Sequence, residues 1–223
     1  MSEIWDRMIE CEQQIIKKCA TLGEETFDDP EFDWLNRVFK GDHFRRAHID
    51  SVDARDTKGL YMTHICVFPN FNNTAPIYGF DIICGKNKVT GAFHDYSPSW
   101  PMSHPMIDLF AESTKNLEWK KERALPPWAE AIFTPHMVAV SNVKTIQEMD
   151  QVVTMALDNL DMYFTHLPKY TNIKNDADQI KRRQNRYCHY QKQNPHTPKV
   201  MESLGLDASD VKHFIEDCLF PEV

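Results

Sequence analysis

The sequence predicts an α/β protein of three layers, with a central sheet between two layers of helices. Two observations support this fold class. Segments 59–68 and 77–84 are apolar at both odd and even positions, which is typical of strands that are covered on both faces. Segments 3–20 and 145–167 instead place apolar residues at the i, i+3, i+4 and i+7 positions of amphipathic helices. Because the sequence contains no repeat and no linker, we predict one domain over residues 1–223.

The first half of the chain supplies most of the predicted strands. After the helix at 3–20, an acidic loop extends through Pro30. The strands are predicted over 44–52, 59–68, 77–84 and 89–96. The last two strands are joined by the turn GKNK at 85–88, in which Gly and Asn tolerate positive φ, so we expect a hairpin there.

The second half is predicted to be mostly helical. Pro98, Pro101 and Pro105 interrupt the chain directly after the hairpin. Helices are predicted over 103–116, 145–167, 174–193, 197–204 and 208–219, and one further strand is predicted over 136–141. The helix at 174–193 is polar and basic, whereas the helix at 145–167 carries the longest apolar stripe of the chain.

The composition argues against several classes of protein. A net charge of −8 is unfavourable for a general nucleic-acid binder. The sequence contains no run of about 18 apolar residues, so it predicts no membrane span. Its acidic, amphipathic N-terminus is unlike a signal peptide. The six cysteines lack the spacing of a zinc site, and we interpret them as reduced thiols. We therefore expect a cytoplasmic protein, located in a host cell if the chain is virally encoded.

The sequence also lacks the linear motifs of several enzyme classes. It contains no GxGxxG after a strand, no P-loop, no HExxH and no GxSxG. Because the chain has only seven glycines, we do not expect a glycine-rich loop that cradles a nucleotide. If the protein is a redox enzyme, its electrons should not come from a nicotinamide bound by a Rossmann unit.

Three polar residues in the predicted strands are the candidates for chemistry. Asp81 lies within IYGFDIIC, His64 lies within LYMTHICVF, and Asp50 follows His48 by two residues. Burial of a carboxylate without a partner raises its pKa until it holds a proton. A buried His beside such an Asp can hold and deliver a proton near neutral pH. The alternative is a hydrogen-bonded core His with structural Asp residues, and the unknown loop register leaves their facing open.

Other charged residues have two interpretations each. We expect His94 and Asp95 to lead into the turn at SPSWP. Arg123 is separated from LPPW by one alanine. It is either a clamp for a ligand carboxylate or an exposed arginine. A run of bases without an acid is either a solvated helix face or a docking patch for an acidic partner. Its members are Lys181, Arg182, Arg183, Arg186, Lys192 and Lys199.

Several blocks of the sequence together resemble one enzyme family. In chain order, from about residue 44 to residue 223, they are FRRAHID, THICVFP, APIYGFDIICGKNKVTGAFHDYSP, RALPPW, RYCHYQKQNPHTPKVMES and the closing CLFPEV. The set is similar to the ferredoxin-dependent bilin reductases, above all to the phycocyanobilin:ferredoxin oxidoreductase branch and its extended marine-phage relatives. Each block alone is a weak signal, whereas the ordered set is specific. The first 40 residues add little to the resemblance.

The resemblance implies a fold and a chemistry. It makes 1–223 a single bilin reductase domain, a monomer with an antiparallel sheet, and an open-chain tetrapyrrole between the sheet and the C-terminal helices. It implies no metal and no organic cofactor of the chain's own, because reduced [2Fe–2S] ferredoxin supplies single electrons. Asp81 matches the central proton donor of the family, and His64 matches the His that pairs with it. Asp50 stands where the branch that reduces the D-ring vinyl group has a Glu.

The implied ligand contacts match less evenly. Thr90 stands where a Ser binds a propionate, Arg123 matches a propionate-binding Arg, and Asn194 matches a ligand-facing Asn. Pro195 replaces an Asp that several branches need, and His196 stands where a Lys is often found. This departure argues against protonation of the ligand from the C-terminal side.

We therefore expect a ferredoxin-dependent reductase that converts biliverdin IXα to a phycobilin through bilin radicals. Asp50 and Pro195, both departures from the D-ring-reducing pattern, favour phycoerythrobilin formed through 15,16-dihydrobiliverdin over phycocyanobilin. The basic run at 181–199 suits the docking of a negatively charged ferredoxin. Two alternatives of other classes stay open, namely a bilin-binding carrier without catalysis and a structural or interaction domain.

Overall fold

The sheet is antiparallel throughout and follows the order of the chain. The computed structural model describes residues 2–26, 32, 34–100, 103–171 and 177–223. Seven strands of these residues form one sheet in the order β1 to β7. They are β1 (Glu24–Thr26), β2 (Leu35–Lys40), β3 (Phe44–Ala54), β4 (Leu60–Pro69), β5 (Ile77–Gly85), β6 (Lys88–Ser97) and β7 (Val138–Val140).

Helices precede the sheet, interrupt it and follow it. Those of the described residues are α1 (Glu3–Leu22), α2 (Arg55–Lys58), α3 (Pro105–Thr114), α4 (Pro127–Glu130), α5 (Ile146–His166), α6 (Ala177–Gln191), α7 (His196–Ser203) and α8 (Ala208–His213). A 3₁₀ turn at Leu167–Tyr170 follows α5, and a π-helical turn at Phe214–Leu219 follows α8. Within the described residues, none of these helices is both long enough and apolar enough to cross a lipid bilayer.

Helices cover both faces of the sheet, which confirms the predicted three-layer α/β/α architecture. Apolar residues of α1, α3 and α5 pack with one face, which we call the sealed face. Apolar residues of α6, α7, α8 and the π-helical turn pack with the other face, which we call the open face. The apolar stripe of α5 is buried along its length, as its periodicity predicts. Thr145 caps this helix, because its hydroxyl accepts a hydrogen bond from the backbone N–H of Glu148 at 3.2 Å.

The structure corrects one sequence prediction and adds detail to another. The segment after α1, predicted as an acidic loop through Pro30, contains β1, while residues 27–31 lie outside the described residues. His94 and Asp95, predicted to lead into the turn at SPSWP, lie near the end of β6, which ends at Ser97, and the fold buries both side chains. The Asp95 carboxylate is satisfied inside the fold, where it accepts hydrogen bonds from Thr134 and Ser97.

The strand register aligns one residue from each of five adjacent strands across the open face. Asn36 of β2 pairs with Asp50 of β3, and Asp50 pairs with His64 of β4. His64 pairs in turn with Asp81 of β5, and Asp81 pairs with Phe93 of β6. We call these five residues the cross-strand row. Since side chains alternate between the faces of a strand, all five side chains share one face.

Candidate active site

The open face contains a cleft that the helices do not fill. Along β5, Tyr78, Phe80 and Ile82 are buried on the sealed face. The alternate residues Asp81 and Ile83, which point to the open face, are only half-buried. Because both sets belong to one strand in the middle of the sheet, the difference locates free space above the open face. This cleft is the candidate binding site.

The three residues predicted to carry chemistry lie together at this cleft. Asp50, His64 and Asp81 are consecutive members of the cross-strand row, on three adjacent strands. Nδ1 of His64 lies 3.0 Å from Oδ1 of Asp50, within hydrogen-bonding distance. The sequence left open which face of the sheet each side chain occupies. The strand register answers this question, because it places His64 and Asp81 on the same face.

His64 is poised to carry a proton. Burial alone would lower the pKa of its imidazole, but the hydrogen bond to Asp50 and the negative charges of Asp50 and Asp81 outweigh burial and raise the pKa. Its side chain keeps 15% of its surface exposed, so the ring reaches the cleft. The imidazolium form is therefore favoured where a ligand would lie.

Asp81 has the properties of a proton donor. Burial raises the pKa of its carboxyl to about 6, and the positive charges of His64 and Arg123 only partly oppose this effect. Repulsion from Asp50 adds to the rise. None of the described residues donates a hydrogen bond that would hold the ionised carboxylate. A flat apolar ligand above Asp81 would remove more water and favour the protonated carboxyl further.

Two further polar residues extend the site towards β2. His48 is fully buried, and its Nε2 forms a hydrogen bond with Oδ1 of Asn36. Burial lowers the pKa of His48 well below its usual value, so this ring is neutral. Its Nδ1 lies 3.8 Å from Oδ1 of Asp50. Asn36 was not predicted as a site residue because β2 was not predicted, although the spacing of His48 and Asp50 already placed these two residues on one face.

Thr90 and Arg123, predicted to bind a propionate, line one open cavity of about 470 Å³. Lys88 and Lys121 line the same cavity and add positive charge, which Glu122 offsets in part. The Arg123 guanidinium lies 5.1 Å from the centroid of the Phe93 ring, which links this cavity to the cross-strand row. The Thr90 hydroxyl donates a hydrogen bond to a backbone carbonyl at 3.0 Å. This cationic cavity suits a carboxylate.

A glycine shapes the approach of Arg123 to the sheet. A Cβ atom at Gly91 would lie 3.0 Å from Nη1 of Arg123 and 3.0 Å from the Phe93 ring. The absence of a side chain at this position lets the guanidinium lie close to β6. The sequence offered no signal for this contact beyond the glycine itself.

Asn194 and His196 lie at the start of α7, where local hydrogen bonds engage the asparagine. Oδ1 of Asn194 accepts a hydrogen bond from the backbone N–H of His196 at 3.0 Å, and its Nδ2 donates to Oγ1 of Thr197 at 3.3 Å. His196 is exposed. Asn194 therefore closes the turn that contains Pro195, and the predicted ligand contacts of Asn194 and His196 stay predictions.

The closing segment of the chain covers one side of the cleft. The Phe220 ring packs edge-on against His64, with 5.7 Å between the ring centroids, and also contacts Tyr187 of α6. Nη2 of Arg46 donates a hydrogen bond to the carbonyl of Cys218 at 2.6 Å and holds this segment on the sheet. CLFPEV is one of the sequence blocks that carry the resemblance, but the sequence predicts no role for Phe220.

A second cavity of about 720 Å³ lies along β3 beyond Asp50. Val52 and Ala54, which share the face of Asp50, form its floor together with Trp34. Leu204 and Leu206 after α7 line its other side. This cavity is adjacent to Asp50 along the strand, and its lining also includes the polar side chains of Asp53, Thr57, Asp210 and His213.

The predicted docking residues extend along α6 and into α7. Lys192 forms an ion pair with Glu222 at 3.0 Å, and the Arg186 guanidinium lies 4.9 Å from the centroid of the Tyr190 ring. Lys181 lies 6.0 Å from the centroid of the Phe71 ring. Arg182 and Lys199 are exposed. Arg183 lines a small cavity of about 110 Å³ with Arg186.

Comparison with protein families gives a match over almost the whole chain. The family model described as ferredoxin-dependent bilin reductase matches residues 3–221. The phycocyanobilin:ferredoxin oxidoreductase of Gloeobacter violaceus is 24% identical over 219 residues, which cover 97% of this chain and 85% of that protein. The enzyme of the same name from Synechococcus sp. strain CC9605 is 27% identical over 188 residues, which cover 83% of this chain and 74% of that protein.

Two solved structures share the fold. The structure of PcyX is 33% identical and superimposes with a TM-score of 0.71, covering 97% of this chain and 99% of that one. Phytochromobilin synthase from tomato, solved in complex with biliverdin, is 15% identical with a TM-score of 0.70, covering 97% of this chain and 82% of that one. At this identity, the tomato enzyme supports the fold alone.

Proposed function

The chain belongs to the family of ferredoxin-dependent bilin reductases, which are oxidoreductases, and on that premise we propose that it reduces biliverdin IXα to a phycobilin. Reduced [2Fe–2S] ferredoxin supplies the electrons one at a time, and the chain holds no redox cofactor of its own. The single observation that carries the proposal is the row of Asp50, His64 and Asp81 at an unfilled cleft on the open face.

In this proposal, side chains supply the protons and ferredoxin supplies the electrons. Reduction of two carbon–carbon double bonds consumes four electrons and four protons. Each electron makes the bilin more basic, and Asp81 then transfers its proton to the bilin radical. His64 returns a proton to Asp81 from the adjacent strand. Asp50 keeps the His64 ring oriented and charged through its 3.0 Å hydrogen bond.

The favoured product is phycoerythrobilin, formed through 15,16-dihydrobiliverdin. Asp50 is one methylene shorter than the Glu of the D-ring-reducing branch, and its carboxylate is already engaged by His64. We infer that Asp50 orients His64 rather than protonating a vinyl group. Phycocyanobilin is the alternative product, and the names of the curated relatives from Gloeobacter and Synechococcus favour it.

The two propionates of biliverdin are the groups that the cationic cavity would bind. Arg123 supplies a planar guanidinium, and Thr90 supplies a hydroxyl on the same cavity wall. The Arg123 contact with Phe93 would hold the propionate end at the edge of the cross-strand row. Asn194 and His196 approach from the start of α7 and would complete the binding of the ligand.

Ferredoxin would dock on the basic side of the C-terminal helices. The proposed contacts are Lys181, Arg182, Arg183, Arg186, Lys192 and Lys199. Most of this surface belongs to α6, whose Tyr187 packs against Phe220 at the cleft, so a donor bound here lies close to the bilin. We further propose that the enzyme acts as a monomer in the cytoplasm.

Anaerobic turnover tests the proposal. The chain is incubated with biliverdin IXα and enzymatically reduced ferredoxin, and the products are resolved by chromatography against phycobilin standards. We expect a two-electron intermediate followed by phycoerythrobilin. Phycocyanobilin as the only product would overturn the preferred isomer and leave the reaction class standing.

A non-catalytic bilin carrier is the second candidate, and Pro195 is the observation that favours it. The family commonly has an Asp at this position, whereas here Pro195 precedes α7 directly. A carrier would bind biliverdin tightly and show no spectral change when reduced ferredoxin is added. Asp81 and His64 favour the enzyme, because a carrier has no need of a buried carboxyl without hydrogen-bond donors beside a histidine whose pKa is raised. A chain that binds no open-chain tetrapyrrole at all would instead be a structural or interaction domain.

A further inference from the structure

Three side chains beside Asp81 form a cluster with the chemistry of a metal site. One potential ligand atom from each of His48, Asp50 and His64 lies within 4.8 Å of the others. Oδ1 of Asp50 is 3.0 Å from Nδ1 of His64 and 3.8 Å from Nδ1 of His48. His48 and Asp50 are two residues apart on β3, and His64 faces Asp50 from β4. The strand register therefore directs all three towards one point.

The hydrogen bond between His48 and Asn36 determines which ring nitrogen of His48 is free. Oδ1 of Asn36 can only accept a hydrogen bond, so Nε2 of His48 carries the proton. Nδ1 then presents a lone pair. It is fully buried and has no hydrogen-bond partner among the residues that the structure describes. A lone pair 3.8 Å from a carboxylate oxygen is a repulsive arrangement that a cation bound by the two atoms would relieve.

The donor set and its spacing match a first-row transition metal. Two imidazole nitrogens and one carboxylate oxygen on one side of a metal are a common protein site with open positions. Ligands about 2.0–2.2 Å from such an ion lie roughly 3–3.5 Å from one another. The present separations run from 3.0 Å to at most 4.8 Å, so side-chain movements of up to roughly 1–2 Å bring the atoms to that spacing. Asn36 supplies the outer hydrogen bond that orients a ligating histidine.

We propose that His48, Asp50 and His64 bind a divalent transition metal ion such as Zn²⁺, and that the bound ion inhibits the enzyme. The inhibition rests on the proposed function, whereas the binding does not. A carboxylate and an imidazole that coordinate a metal through these atoms cannot orient or relay a proton. The ion would also place positive charge next to Asp81 on the open face. The ion is thus an inhibitor and takes no part in turnover.

The chain contains an internal control for this site. His213 and Asp217 also form a histidine–carboxylate pair, at 2.8 Å, but their side chains are 51% and 68% exposed. This pair offers two ligands and no buried lone pair. We therefore expect a metal to prefer the cluster on the sheet, and His213→Gln is the matched control variant.

Metal binding is measured first without biliverdin. Co²⁺ is added to the chain, its visible absorption is followed, and Zn²⁺ is counted by equilibrium dialysis. We expect one bound ion, an affinity loss of at least about tenfold in His48→Gln, and a loss of about 10–100-fold in Asn36→Leu. His213→Gln should bind as the unaltered chain does. Asn36 is half-buried, so Asn36→Leu provides the test if His48→Gln does not fold.

Turnover is then compared with and without Zn²⁺ for each variant. In the unaltered chain and in His213→Gln, saturating Zn²⁺ should lower the rate by at least about tenfold, because proton relay is lost. In His48→Gln the same Zn²⁺ concentration should change the rate much less. Biliverdin can itself chelate Zn²⁺, but chelation by the substrate would inhibit every variant equally.

Three outcomes would overturn parts of this inference. Metal binding that is unaffected by both His48→Gln and Asn36→Leu would overturn the site. Equal Zn²⁺ inhibition of all variants would overturn the regulatory role while leaving the binding result intact. If biliverdin is not reduced under any condition, the proposed function fails, and the dialysis measurement still decides the metal site.

Discussion

Two neighbouring rows of residues, one position apart on every strand, show how the two faces of the sheet differ. The cross-strand row on the open face contains Asp50, His64 and Asp81. The adjacent row on the sealed face contains Ile49, Ile65 and Phe80, followed by His94. The sealed row is at most 1% exposed, and its only polar member from β3 to β6 is His94.

The two histidines show what the difference means. His94 donates from Nδ1 to the carbonyl of Gly79 at 2.7 Å, and aromatic rings surround it. Burial lowers the pKa of His94 to about 4, so it stays neutral and structural. His64 has a carboxylate partner and a raised pKa. The same residue type is therefore inert on one face and able to carry a proton on the other.

Two aspartates extend the comparison within the open face. Burial raises the pKa of both Asp81 and Asp95 to about 6. Asp95 accepts hydrogen bonds from the Thr134 backbone N–H, from the Thr134 hydroxyl and from the Ser97 hydroxyl. Asp81 accepts none from the described residues. The raised pKa therefore reflects burial in both aspartates. Asp81 differs from Asp95 in accepting no hydrogen bond from the described residues, and this difference marks Asp81 as the candidate catalytic carboxyl.

The largest expected effect is the loss of product in Asp81→Asn. The amide keeps the size of the side chain but cannot give up a proton to the bilin. We expect turnover to fall by about 10²–10⁴-fold while biliverdin still binds. Absorbance titration measures binding, and single-turnover spectra with reduced ferredoxin measure the reaction.

Asp95→Asn is the matched control for that experiment. It neutralises a second carboxyl of the open face, whose pKa is raised to the same value but which is buried and hydrogen-bonded to Thr134. Turnover within a few-fold of normal is expected from Asp95→Asn. Full activity of the Asp81→Asn variant would show that Asp81 is not the proton donor.

A second prediction concerns stability rather than activity. Asp95→Ala removes the acceptor of three hydrogen bonds and leaves the Thr134 N–H buried without a partner. We expect the free energy of unfolding to fall by about 2–4 kcal/mol. Urea unfolding at pH 7 measures it. A loss below about 0.5 kcal/mol would show that Asp95 is not the anchor of the Thr134 segment.

The third prediction uses the pH dependence of folding stability to isolate the contribution of Asp81 from that of Asp95. In the unfolded chain Asp81 has its ordinary pKa of 3.8, and in the folded chain its pKa is about 6. The fold therefore favours the protonated form, and its contribution to stability is lost as pH rises from about 4 through 6.

Asp81→Asn should remove this pH-dependent loss. Relative to the unaltered chain, the variant should be more stable at pH 8 than at pH 4, by about 1–3 kcal/mol. The contribution of Asp95 is common to both proteins and cancels. Thermal unfolding at the two pH values measures the difference. A variant that is less stable at pH 8 would show that Asp81 is held as a carboxylate.

The elements that the sequence predicts well are the long periodic ones. The apolar stripes of α1 and α5 and the two-sided strands β4 and β5 repeat over many residues, so their type is clear. Strand β1 has three residues and β2 has six, too few for a periodic signal. The failure to predict β2 is also the reason that Asn36 was missed.

The candidate site was predictable in its residues but not in its geometry. Asp50, His64 and Asp81 stood out as polar residues in apolar strands. Their common face depends on the register across two connections, and a slip of one residue would turn a side chain to the opposite face. The burial of His94 and Asp95 was not predicted, because it depends on distant segments of the chain, as the hydrogen bond from Thr134 to Asp95 shows.

The smallest expected effect lies at the edge of the open face, in Arg123→Met. Arg123 is exposed, so the charge that it offers to a propionate is screened by solvent. We expect biliverdin affinity to fall by about 3–10-fold at low salt with the rate at saturation unchanged. Ser141→Ala, on the same cavity wall, is the uncharged control. Because an ion pair is screened, the difference between Arg123→Met and the unaltered chain should shrink as salt rises. A salt-independent loss would mean that Arg123 acts by packing on Phe93, and that the open face binds its ligand through shape rather than charge.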